Sequence, residues 1–152
     1  MEIVLDTVSL HKSITEWDVN PLTSHIINKK LRVVVDKDGD IIDEWEDTCG
    51  REIIQQLIIT WQPVNGIIII RRPPALPLTA RRKLREFGFI DTIDKLILRV
   101  AYATVEKKIV SDDSDFWDPS DTTSPGNKRA KIAKYLKDHL NINLFILDEI
   151  VS

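Results

Sequence analysis

Apolar residues fall along this chain in two alternating kinds of segment. Short, nearly unbroken runs have the length and β-branched content of buried strands: EIVLD (2–6), LRVVVD (31–36), IIIIRR (67–72), KKIVSD (107–112) and NLFILD (143–148). Between them, apolar residues recur at helical spacing. Ile41, Ile42, Trp45, Ile53, Ile54 and Leu57 form one stripe and predict a helix over about 41–60. Ile93, Leu96, Ile97, Val100, Ala101 and Thr104 form another within Asp91–Val105. A weaker helix is expected within 9–17 or 21–29, with Asn20-Pro21 marking its start or restart. Thr79 opens a basic helix, about 79–87, that stops at Gly88, and a second basic helix covers 127–140. Thr7-Val8-Ser9 reads as a turn, and the proline-bearing stretches RRPPALPLT and 114–126 read as loops.

Strands separated by helices predict an α/β fold: a three-layer α/β/α arrangement around a central, mostly parallel sheet of four to five strands. No internal repeat interrupts the chain, and its 152 residues fit one domain, 1–152.

Composition narrows the class only a little. Apolar residues at 43% and charged residues at 30% are ordinary for a globular protein. Cys49 is the single cysteine, which excludes an internal disulfide and suits a reducing cytoplasm. The opening MEIVLDTVSLHK lacks the basic start of a signal peptide, and no apolar run approaches membrane-spanning length, so no membrane role is expected. The net charge of −3 speaks against general nucleic-acid stickiness, but the charge is unevenly spread. Arg71, Arg72, Arg81, Arg82, Lys83 and Arg85 occupy an acid-free stretch, and the segment from Asn127 sets Lys128, Arg129, Lys131, Lys134 and Lys137 against Asp138. Acids concentrate in 36–52 and 112–121. Charge runs are often only solvated faces, yet two basic segments beside an acidic centre suit a metal-dependent enzyme acting on a polyanion.

The acidic stretch DKDGDIIDEWEDTCG (36–50) superficially resembles a calcium loop. An EF-hand needs glycine at its sixth position and glutamate at its twelfth; here Ile41 and Asp47 stand there. Asp38-Gly39 is better read as a tight turn closing the second strand, with Glu44 in the first turn of the helix that follows.

In an open parallel sheet, ligands bind beyond the carboxyl ends of the strands, where strand order reverses. Asp6 ends the first strand, and Asp113 follows the KKIV strand with Asp115 nearby. Asp94 lies in the first turn of the helix feeding that strand, and Glu44 lies early in the helix after the second. All can face one sheet edge. Asp91, on the same helical face as Asp94, is a rival to it. Each position also has a plain structural reading. Asp6 or Asp91 could cap a helix, Glu44 could be a surface acid, and Asp115 and Asp118 could be turn residues. His11, His25 and His139 have no ligand spacing, and Trp45, Trp61 and Trp117 read as core or loop anchors.

These positions, in this order, resemble the PIN-domain family of metal-dependent ribonucleases. The matching segments are LDTVS at the first strand end, IIDEWE, DKLILRVAYA, and IVSDDSDF in place of Val-Thr-x-Asp-x-Asp. The resemblance implies an acidic constellation of Asp6, Glu44, Asp94 and Asp113, with Asp115 auxiliary and Ser111 in place of the family's threonine. Val8 departs from the usual Asn or Ser, so a polar side chain is missing there unless Ser9 supplies it, and Asp112 replaces a small residue.

Clustered carboxylates ionise together only around a cation, and oxygen-only ligation suits magnesium or manganese. The expected activity is phosphodiester hydrolysis. Arg81, Arg82, Lys83, Lys128 and Arg129 would hold the backbone of single-stranded RNA, preferred over DNA on family precedent. An inhibitory antitoxin, a defence-system partner and a homo-oligomer are all compatible with that expectation. The rival readings are a PIN-like binding module without catalysis, and a receiver-like domain. The latter would need an acid pair on the first strand and a lysine after the last, and neither is evident.

Overall fold

A computed structural model of the chain describes residues 1–15, 21–29, 31–63, 68–89, 91–113, 116 and 128–151. The elements run β1 (Glu2–Leu5), α1 (Thr7–Thr15), α2 (Pro21–Lys29), β2 (Arg32–Asp36), α3 (Asp40–Cys49), α4 (Arg51–Trp61) and β3 (Ile68–Arg71). They continue as α5 (Leu78–Glu86), α6 (Thr92–Tyr102), β4 (Lys108–Val110), α7 (Lys128–Leu140), β5 (Asn143–Phe145) and α8 (Leu147–Val151). One sheet has the order β3-β2-β1-β4-β5, with every pairing parallel. Parallel neighbours require crossovers, and helices supply them, giving the three-layer α/β/α fold.

The strands are unbroken apolar runs because the central ones are buried on both faces. Ile3, Val4, Leu5, Val33, Val34, Val35, Ile109 and Val110 are at most 1% exposed. Helix α6 lies against β1, β2 and β4 and buries Leu96, Ile97, Val100 and Ala101, much of its anticipated stripe. Trp45 and Trp61 are core residues as anticipated. Each satisfies its indole N–H, Trp45 on the Leu5 carbonyl (3.3 Å) and Trp61 on the Thr23 hydroxyl (3.1 Å). Trp117 lies outside the described residues, as does most of the stretch 114–126.

Several boundaries differ from the pattern's reading. The helix expected over 41–60 is two helices, broken at Gly50, whose φ of 99° is a conformation that side chains resist. Gly50 donates its N–H to the Glu46 carbonyl to end α3, and α4 starts at the next residue, Arg51. Ile53, counted in a continuous stripe, is therefore 45% exposed. Because α3 begins at Asp40, Glu44 stands in its second turn and not its first. Thr7-Val8-Ser9 is no turn: α1 starts directly after β1, the Leu10 N–H donating to the Asp6 carbonyl at 3.1 Å. Both candidate stretches for the weaker helix fold, as α1 and α2, the latter with Pro21 at its first position. NLFILD is not one strand. It leaves the sheet after Phe145 and enters α8, whose Leu147 N–H is accepted by the Asp112 carboxylate at 3.2 Å. Helix α6 stops at Tyr102, and the Thr104 hydroxyl donates to the Ala101 carbonyl beyond its end.

The calcium-like stretch is a turn and a helix start. Asp36, 2% exposed, accepts the N–H groups of Asp40 (3.0 Å) and Ile41 (2.9 Å), while Gly39 takes a φ of 85°. Both oxygens of Asp36 are thereby spent on the α3 N-terminus, where unpaired backbone donors need partners.

Candidate metal centre

The strand order places the site. From β1 the chain moves outward to β2 and β3, then returns past β1 to lay down β4 and β5. Order therefore reverses between β1 and β4, the position where open parallel sheets bind ligands. Asp6 follows the last residue of β1, and its N–H donates to the Val110 carbonyl at 2.9 Å, locking the two strand ends together. Asp113 lies just beyond β4, and Asp94 arrives from the first turn of α6.

One carboxylate oxygen from each of Asp6, Asp94 and Asp113 lies within 4.8 Å of the others. They line a cleft of about 150 Å³ with Thr7, Val8, Glu44, Thr48, Asp91 and Ile93. Asp6 and Asp94 are only 3% and 5% exposed, while Asp113 is half-buried.

Local bonding explains the aim of each acid. The Oδ1 of Asp6 accepts the Thr7 N–H (2.8 Å), and its Oδ2 accepts the Ser111 hydroxyl (2.7 Å). Ser111 Oγ in turn accepts the Asp113 N–H at 3.1 Å, so one buried hydroxyl couples two of the three acids. Asp94 is set by the α6 cap, where Asp91 Oδ1 accepts the N–H groups of Ile93 (2.9 Å) and Asp94 (3.0 Å). Phe89 and Phe116 pack edge to face at 5.3 Å, joining the segment before Asp91 to the segment after Asp113.

Burial and like charge make the cluster costly without a cation. Burial is the main cause raising Asp6 from its ordinary 3.8 to about 6. The Ser111 and Thr7 hydrogen bonds pull it down, whereas the charges of Asp113 and Glu44 push it up. The donor set suits a hard divalent ion. One oxygen from each of the three acids is close enough to the others that side-chain adjustment would let them converge on a single ion. Asp6, Asp94 and Asp113 are the residues that could hold such an ion.

Glu44, expected beside these three, lies half-buried on the cleft wall outside the close triad. Asp91, the rival to Asp94, is an exposed cap at the cleft mouth. Asp115 lies outside the described residues. Ser9 does not stand in for the polar side chain missing at Val8. Its hydroxyl donates to Asp112, which also receives the Lys12 ammonium at 3.4 Å. Asp112, which the sequence marks only as a departure from the family pattern, thus ties α1 and α8 to the loop carrying Asp113. Thr48 also lines the cleft; its place one helical turn after Glu44 is the signal in the sequence that could have found it. Arg81, Arg82 and Lys83 are exposed on α5; Lys128 and Arg129 open α7, but their side chains lie outside what is described. Arg71, counted among the basic run, pairs with Glu2 at 2.7 Å. Among the described residues, no helix is long and apolar enough to cross a membrane. Comparison with family models, curated proteins and solved structures finds no match for this chain.

Proposed function

We propose that this protein is a divalent-metal-dependent nuclease of PIN-like type, hydrolysing phosphodiester bonds, with single-stranded RNA its preferred substrate. One observation carries the reading: Asp6, Asp94 and Asp113 converge at the point where strand order reverses, their oxygens within 4.8 Å. Asp6, Asp94 and Asp113 would hold the ion, and magnesium or manganese fits their all-oxygen set. When bound, such an ion makes water acidic enough to attack phosphorus and offsets charge on the leaving oxygen. Glu44, facing the same cleft, orients the attacking water and accepts its proton. Ser111 keeps Asp6 and Asp113 in register.

The test incubates labelled RNA and DNA with the protein, in manganese and in chelator. The wild type is expected to cut RNA only with metal. Glu44→Gln should lower cleavage severely, while Asp38→Asn, on the exposed turn, stays near wild type. If Asp38 proves essential, the assignment is wrong.

A second reading, a PIN-like binding module without catalysis, is favoured by Val8, which stands 43% exposed at the cleft with Ser9 turned toward Asp112. It predicts no cleavage under any divalent ion.

A further inference from the structure

Two basic helices that are remote in sequence pack against each other. Helices α5 and α7 meet where Phe87, the residue that follows α5, packs edge to face on Tyr135 at 6.0 Å. On α5, Lys83 lies over the Phe87 ring at 5.2 Å. On α7, Lys131, Tyr135 and His139 share one face, each a helical turn from the next, with Tyr135 and His139 stacked at 4.5 Å. Lys83, Lys131 and His139 are exposed, and Phe87 and Tyr135 are half-buried. Two stripes of cation and ring therefore join into one. Arg81, Arg82, Lys134 and Lys137 are exposed on the same two helices. The acids there are Glu86, which pairs with Lys83 at 3.4 Å in an exposed and weak contact, and Asp138. In the chain Phe87 shortly precedes Asp91, which lines the acidic cleft.

Positive charge alone would fit any polyanion. Aromatic rings interleaved with it fit a narrower partner, because only unpaired bases offer flat faces for stacking. We infer that the joined α5–α7 face binds single-stranded nucleic acid, its lysines and arginines on phosphates and Phe87, Tyr135 and His139 against bases. The inference rests on the nuclease reading for the strand's destination, the cleft beside Asp91.

The experiment measures binding in chelator of one fluorescent oligonucleotide, as a single strand and as its duplex. The single strand should bind more tightly. Tyr135→Leu, which keeps an apolar contact with Phe87, and His139→Ala should each weaken it by on the order of tenfold and leave the duplex little changed. Lys131→Gln and Lys134→Gln should each flatten the log–log salt dependence by roughly 0.7. Unchanged melting temperatures would show that the variants fold. Equal affinity for strand and duplex with indifferent ring variants would overturn the inference, as would stronger binding to anionic lipid vesicles. Manganese separates the two proposals. Binding at this face without cleavage defeats the nuclease reading alone, and cleavage unaffected by every α5–α7 variant defeats the face alone.

Discussion

Asp6 and Asp36 look interchangeable. Each stands at the carboxyl end of one of two neighbouring parallel strands, each is buried (3% and 2% exposed), and each precedes a helix. Their surroundings make them opposites. Asp36 spends both oxygens on backbone N–H groups at the start of α3, a charge held by the helix it begins. Asp6 has one backbone N–H and one serine hydroxyl, and it faces the acids Asp94 and Asp113. A strand-end carboxylate saturated by backbone donors is architecture. One crowded by like charge suits a cation, which offsets that crowding.

The largest expected effect tests the chemical half. On the proposed nuclease reading, Asp113→Asn keeps shape and removes one charge of the acidic triad, so metal-dependent cleavage should fall by on the order of a thousandfold, several kcal/mol of transition-state stabilisation. Manganese should raise the melting temperature of the wild type by mass action, and much less that of the variant. An Asp113→Asn protein that still cleaves RNA with manganese would break the comparison at its centre.

The architectural half predicts the reverse pattern. Asp36→Ala leaves the Asp40 and Ile41 N–H groups without their acceptor and should destabilise by about 2 kcal/mol, roughly 4–8 °C for a domain of this size. Its folded fraction should still respond to manganese. Asp6→Asn should instead stabilise the metal-free protein at neutral pH. A shift from 3.8 to about 6 corresponds to roughly 3 kcal/mol. The sign follows from the raised value. The protonated acid's advantage is complete below 3.8 and is lost as pH rises through about 6, so the folded wild type carries the full charge penalty above that. Thermal melts of both proteins in chelator should therefore diverge across this window and run parallel above it. Metal-induced stabilisation of the wild type should fade below about pH 6, where protons compete for Asp6. Melts that stay parallel throughout would show that Asp6 is no more strained than Asp36.

This contrast also marks what could be read from sequence. The strands were legible because burial on both faces leaves continuous apolar runs, and the acids were legible because parallel sheets present strand ends to one edge. Strand-end position alone does not tell Asp36 from Asp6; the family resemblance singles out Asp6, while the physical difference lies in partners 4 and 5 residues onward for one and 105 residues away for the other. The break at Gly50 was hidden because apolar spacing continues across it while the backbone does not. The sequence marks Ser111 only as standing in place of the family's threonine; its bridging of Asp6 and Asp113 depends on β4 lying beside β1. The meeting of α5 and α7 was likewise invisible, being a tertiary contact between helices that are remote in sequence.

The smallest expected effect concerns Asp91, which stands between the two types. It caps α6 as Asp36 caps α3, yet it lines the cleft as Asp6 does. Both of its accepted N–H bonds fall on Oδ1, so the cap needs one oxygen and no charge. Asp91→Asn retains that oxygen and should change stability and cleavage little, within about 0.5 kcal/mol. Asp91→Ala removes the cap and should cost about 1 kcal/mol. Because the capped turn also carries Asp94, its manganese requirement should rise modestly, by less than the loss from removing Asp94 itself. Titration of cleavage against manganese, with melts on the same samples, separates these terms. A severe loss in Asp91→Asn with unchanged stability would move the third ligand from Asp94 to Asp91.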